Sequence, residues 1–175
     1  MGSAYRFAAA VLAATAVFLL AIATTAPTAS AREVVSFNGG VAPGTIVVRT
    51  QERRLYLVIS GGRAIRYPVG VGRAGWRWAG RAVIDGKYIQ PAWAPPPEIA
   101  RNSPGLPQII PGGSPRNPMG VAAMTLTGGK YAIHGTNNPS SIGGFVSHGC
   151  IRMYNRDVMD LYNRVAVGTP VIVAR

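Results

Sequence analysis

The sequence predicts a mainly β domain, a two-sheet sandwich or barrel-like fold, with one clear helix placed after its single cysteine. Short runs rich in Val, Ile and Tyr alternate with glycine-centred turns, and only one segment carries helical periodicity. At 48% hydrophobic and 14% charged over 175 residues, the chain falls among folded globular proteins and outside the disordered and collagen-like classes. It contains no internal repeat and no coiled-coil heptad.

Residues 1–31 read as a secretory signal peptide. Arg6 precedes an apolar run over 7–23, followed by Pro27 and the small residues Ala29-Ser30-Ala31, so cleavage is expected after Ala31. The apolar run is shorter than the ~20 residues that span a bilayer, which disfavours an uncleaved anchor. Removing 31 residues from 175 leaves 144, enough for a single domain over 32–175 with its core over about 44–175.

Strands are expected over 45–50, 54–60 and 63–71, the last two joined through Gly61-Gly62, whose residues supply the positive φ of a tight hairpin. A weaker strand over 82–89 is interrupted by Asp85-Gly86. A second hairpin joins 122–126 to 130–134 through Thr127-Gly128-Gly129 and leaves His134 near a strand end, a position that suits a catalytic base. Between 91 and 118 lie 9 of the 14 prolines, a density that excludes a regular element and predicts a stiff ordered loop or lid, with Trp93 either plugging it onto the core or contacting substrate directly. The helix follows. Asn155 is its expected cap, Asp157 complements its positive end, and Val158, Leu161, Tyr162 and Val165 fall on one face. Gly168 ends that unit and a closing strand runs over 170–174.

Eighteen Lys and Arg face six Asp and Glu, a net charge of +12, and Arg6 alone lies in the leader, so the mature domain carries +11. In an exported chain that charge meets cell wall and membrane surfaces rather than nucleic acid, and the scattering of the arginines is equally compatible with a solvated basic surface. The lone cysteine cannot form an intramolecular disulfide, so it is either buried and inert or reactive.

The informative segment is His134-Gly135-Thr136, ten intervening residues, then Ser147-His148-Gly149-Cys150-Ile151-Arg152-Met153. Both histidines of the chain lie within sixteen residues of Cys150, the pairing a thiol nucleophile needs for proton transfer. Gly149, with Gly143-Gly144, would let the backbone approach a substrate and aim N–H groups at an oxyanion. In an extended chain His148, Cys150 and Arg152 share a face, and Arg152 would favour the thiolate or bind a substrate carboxylate. The residues alone leave His134 and His148 equally eligible as the base. A zinc site of His134, His148 and Cys150 lacks a fourth ligand, so no metal or cofactor is expected.

This segment resembles the signature of the L,D-transpeptidases, cysteine enzymes that cross-link bacterial peptidoglycan, whose pattern is His-Gly followed by Ser-x-Gly-Cys-x-Arg. The likeness is specific over 131–153 and looser from Thr45 to the C-terminus, and Asn117-Pro118-Met119-Gly120 also fits the group. It implies Cys150 as nucleophile, His134 as general base, Gly149 and Cys150 as oxyanion donors, and Ser147, His148, Arg152, Gly135 and Thr136 as supporting or substrate-binding groups. Tyr131 or a backbone carbonyl would orient the His134 ring. Further implications are a periplasmic location, stem peptides as substrate, attack at the meso-diaminopimelate–D-alanine bond, covalent inhibition by carbapenems, and no cofactor. The acyl group would pass to a second diaminopimelate, a lysine of an outer-membrane protein, or water. One departure is the stretch 91–97, where many family members carry Thr-Pro-x-Gly. A sortase-like enzyme would place its histidine far upstream, papain-like enzymes run Cys first, and a non-catalytic wall-binding module would not need the intact motif.

Overall fold

The computed structural model describes residues 32–175, so the expected leader and its cleavage point lie outside the described residues. Short runs make eleven strands: β1 (Glu33–Ser36), β2 (Ile46–Arg49), β3 (Arg54–Ile59), β4 (Arg63–Pro68), β5 (Val71–Gly72), β6 (Gly80–Ile89), β7 (Ala122–Leu126), β8 (Ala132–His134), β9 (Phe145–Ser147), β10 (Ile151–Arg152) and β11 (Pro170–Ala174), some buried on both faces as in β2 and β3 and some alternating as in β6 and β11. Nine of them form one ladder in the order β1-β4-β3-β2-β11-β6-β7-β8-β10, and β5 pairs with β9 in a second, two-stranded sheet. The architecture is mainly β, as expected.

β6 joins the two halves of the ladder. Its first residues pair with β11 and its later ones with β7, and the register shifts between Ile84 and Gly86. The Asp85-Gly86 interruption is therefore a bulge within the longest strand, the kind of irregularity that bends a strand and increases its twist. Both halves contribute to one hydrophobic core. Val48, Leu55 and Tyr67 meet Met124, Ile133 and Ile151 there, with Val158 and Leu161 from α2 (Asn155–Arg164).

α2 is the helix the periodicity predicts, but it is secured differently. Tyr154 holds the cap position without a side-chain bond, while Asn155, the expected cap, is the first helical residue and turns its side chain away to the loop after β8. Asp157 lies in the first turn and is buried, with Oδ2 unpartnered and Arg156 3.6 Å from its other oxygen. At the far end Lys87 of β6 donates to the carbonyls of Tyr162 (2.7 Å) and Val165 (2.6 Å), supplying the cation that a helix C-terminus favours.

The proline-rich segment contains a regular element that its proline density argued against, α1 (Pro97–Arg101). Proline lacks the N–H that a first helical turn leaves unused, so Pro96 and Pro97 start this helix rather than prevent it. Trp93 and Ile110 exchange backbone hydrogen bonds (2.9 and 2.8 Å). The buried Asn117 carboxamide donates to the carbonyls of Pro91 (2.8 Å) and Pro111 (3.0 Å), pinning both ends of the loop.

Candidate active site

β8 and β10 run parallel, with Ile151 opposite Ile133 and Arg152 opposite His134. The isoleucines point into the core, so the residues alternating with them, His134 and Arg152, project from the other face. Continuing that register one residue back sets Cys150 beside Ala132, diagonal to His134 across the ladder. His134, Cys150, Ser147, His148 and Arg152 all line one cavity, roofed by Trp93, Pro96, Glu98 and Ile99 from the proline-rich segment.

His134 is 2% exposed. Its Nδ1 lies 2.7 Å from the Gly135 carbonyl oxygen, which makes Nδ1 the protonated nitrogen and leaves Nε2 as the basic one. The backbone carbonyl thus orients the ring, whereas Tyr131, the alternative, stacks on Trp78 at 4.9 Å between ring centroids. Burial first, and then the Arg152 charge, push the His134 pKa down to about 4, so the ring is neutral at physiological pH and able to take a proton. Burial also raises the Cys150 thiol, opposed by a backbone hydrogen bond from Ala132 and by the Arg152 charge. The resting pair is therefore thiol and imidazole, not thiolate and imidazolium. Arg152 Nε is buried with no hydrogen-bond partner, and the guanidinium donates to no acceptor among the described residues.

His148 is engaged elsewhere. Its Nε2 is 2.7 Å from the Arg73 guanidinium and its ring meets Trp76 edge-on at 4.8 Å. Partial burial and Arg73 lower its pKa. The chain bends at His148–Gly149, so the extended stripe expected of His148, Cys150 and Arg152 does not form, although the three side chains still converge on the cavity.

The turn before Cys150 explains Gly149. With φ at +114° this residue has a backbone that L side chains rarely adopt, and a Cβ there would fall 2.2 Å from Tyr131 Cε1. Ser147 Oγ accepts the Gly149 N–H (3.0 Å) and donates to the Cys150 carbonyl (2.6 Å), and Trp78 Nε1 donates to the Gly149 carbonyl (2.9 Å). The expected oxyanion role of Gly149 needs correction, because its N–H is already bonded to Ser147. The N–H groups of Gly143 and Gly144 are likewise bonded, to Val69 and Ser141. The Cys150 N–H donates to no acceptor among the described residues, which keeps it eligible as an oxyanion donor.

Gly135 and Thr136 have structural roles. Asn155 Oδ1 accepts the Thr136 N–H (2.9 Å) and lies 2.3 Å from where a Gly135 Cβ would stand, so the glycine admits the clip that ties the end of β8 to α2. Thr136 Oγ1 accepts the Asn138 N–H at 3.0 Å and closes the following turn. Sequence reasoning missed Trp78, Arg73 and Glu98 at this site; the two tryptophans around Gly75-Arg77 were the available signal for an aromatic wall.

A thiol, a buried neutral imidazole with a fixed tautomer, and a backbone N–H and a guanidinium without partners among the described residues, on a two-sheet β scaffold, are the groups that acyl transfer through cysteine calls for. The L,D-transpeptidase catalytic domain family model (YkuD) matches residues 43–173, and the chain belongs to that family. It is 41% identical over 135 residues to the probable L,D-transpeptidase ErfK/SrfK of Escherichia coli, covering 72% of this chain and 42% of that one. The chain thus spans less than half the length of this curated relative. Among solved structures, the fold is similar to L,D-transpeptidase 3 from Mycobacterium tuberculosis in complex with a faropenem-derived adduct, with TM-score 0.57, 20% identity and coverage of 75% and 60% of the two chains. It is also similar to the transpeptidase LdtMt1 in complex with imipenem, with TM-score 0.55, 19% identity and coverage of 74% and 58%.

Proposed function

We propose that this chain is an exported L,D-transpeptidase that acylates Cys150 with a peptidoglycan stem peptide and passes the acyl group to an amine. The observation that carries this reading is the position of His134, buried, neutral and held through Nδ1, on the strand paired with the one that follows Cys150.

Cys150 Sγ attacks the carbonyl between the L-centre of diaminopimelate and D-alanine while His134 Nε2 takes the thiol proton. The tetrahedral oxyanion is met by the Cys150 N–H, and Arg152 holds a substrate carboxylate. His134 returns the proton to the departing D-alanine amine, leaving a thioester. An amine from a second stem, an outer-membrane protein lysine, or water then resolves it. Family relationship and the β-lactam-bound relatives support the donor and carbapenem acylation. The leader over 1–31 and the basic surface support export to the periplasm and contact with the anionic wall, with residues 32–175 as the mature domain.

The test is incubation of purified residues 32–175 with disaccharide-tetrapeptide and mass analysis of the products. Release of D-alanine, with 3→3 dimers or tripeptides that vanish in Cys150→Ala, is expected. A folded wild-type protein that releases no D-alanine would mean that the assigned donor is wrong.

A further inference from the structure

The cavity over Cys150 contains one carboxylate in a chain where carboxylates are scarce. Six acidic side chains serve the whole sequence, and all six lie within the described residues. Glu33, Glu52, Asp157 and Asp160 each pair with an arginine, and Asp85 accepts a hydrogen bond from Thr125. Glu98 alone has neither an ion pair nor a hydrogen bond to its carboxylate among the described residues, despite a threefold excess of cations elsewhere. It is carried on α1, above the strand floor, and it lines the same cavity as Cys150, His148, Lys130 and Arg152. Its charge reaches the catalytic cleft, where it opposes the effect of Arg73 on His148.

Two uncommitted groups of opposite sign therefore border one small space: the Arg152 guanidinium on the floor and the Glu98 carboxylate in the roof. The floor cation suits an anion. The roof anion suits a cation, and two enter: the side-chain ammonium of the donor's own diaminopimelate, which takes no part in bond making, and the resolving amine, which does. Its nitrogen has to come within bonding distance of the thioester carbonyl on Cys150, and a space of about 90 Å³ brings that nitrogen close to every group lining it.

We propose that Glu98 is the acceptor subsite, taking up the primary ammonium of the amine that resolves the Cys150 thioester. This rests on the transpeptidase reading and says which side of the cleft serves the second half-reaction. The Glu98 carboxylate holds the ammonium by an ion pair over the thioester until it loses one proton to solvent. The freed amine forms the C–N bond to the acyl carbon as the C–S bond breaks, and His134 moves the second nitrogen proton to the departing Cys150 sulfur. An amide and a free thiol result. Water carries no charge to be recruited, so Glu98 favours transfer over hydrolysis.

The experiment follows the partition of acyl-enzyme preformed on residues 32–175 from a tetrapeptide donor, with a diaminopimelate-containing stem peptide as acceptor. The ratio of cross-linked to hydrolysed product is measured for wild type, Glu98→Gln, Glu98→Asp and Glu98→Lys. Glu98→Gln should lower the ratio about five- to tenfold, the scale of one charge-assisted contact, Glu98→Lys should lower it further, and Glu98→Asp should keep most of it. Added salt should lower the wild-type ratio and leave that of Glu98→Gln nearly flat. An unchanged ratio in Glu98→Gln, or a loss confined to the acylation step, overturns the assignment. A wild-type chain that forms no acyl-enzyme at all would instead sink the transpeptidase reading beneath it.

Discussion

Replacing His134 with Gln keeps a side chain of similar size in the buried site while removing the group that titrates there. In the folded chain the ring takes a proton only near pH 4, whereas in the unfolded chain it does so near 6.5. Between those values the unfolded state binds more protons, so acid favours unfolding. The contribution of the neutral ring is fully present above the unfolded value and is lost as pH falls toward the folded one. At about 1.4 kcal/mol for each tenfold change, wild type should lose about 3 kcal/mol relative to His134→Gln between pH 8 and pH 4. Asp157, whose pKa burial raises, works in the opposite direction, but it is present in both proteins and cancels in the difference. Urea unfolding at a series of pH values reads this directly, and in a domain of this size the difference amounts to about 6–12 °C in Tm. Parallel curves for the two proteins across this range would refute the claim that His134 is held neutral by burial.

The same displacement sets the pH dependence of the chemistry: the acid limb of Cys150 acylation should fall near pH 4, and a limb near 6.5 in stopped-flow acylation traces would contradict it. His134→Ala should slow acylation about 10²–10⁴-fold, the usual span of a general base, whereas His148→Ala, which gives up a contact to Arg73, should retain a measurable fraction. Equal losses in the two variants would return the base assignment to even. Asn155→Ala leaves the Thr136 N–H without its acceptor and should cost about 1–3 kcal/mol of stability in chemical denaturation; a change below about 0.5 kcal/mol would show that the clip between β8 and α2 is dispensable.

Legibility followed the range of the interactions. The Gly61-Gly62 and Gly128-Gly129 hairpins, the α2 periodicity and the spacing of His134 and Cys150 are local patterns, and β7 and β11 match their expected bounds. What could not be read depends on distant partners. The parallel pairing of β8 with β10 brings His134 beside the cysteine strand only after the chain has crossed a loop. His148 is taken by Arg73, 75 residues away, and Gly149 is fixed by the Tyr131 ring rather than by a substrate. Asn155 looked like a cap because its side chain suits one, but the Thr136 and Val121 N–H groups claim it. The run of prolines argued against an element because their cost inside a helix is large, while at its first turn that cost disappears.

The central claim is that Cys150 is an activated thiol nucleophile. Intact-mass measurement of residues 32–175 after incubation with a carbapenem tests it most directly. One covalent adduct is expected on the wild-type chain, slow and incomplete on His134→Ala, and none on Cys150→Ala. A folded wild-type protein that gains no mass, or a Cys150→Ala variant that gains the same mass as wild type, would contradict it.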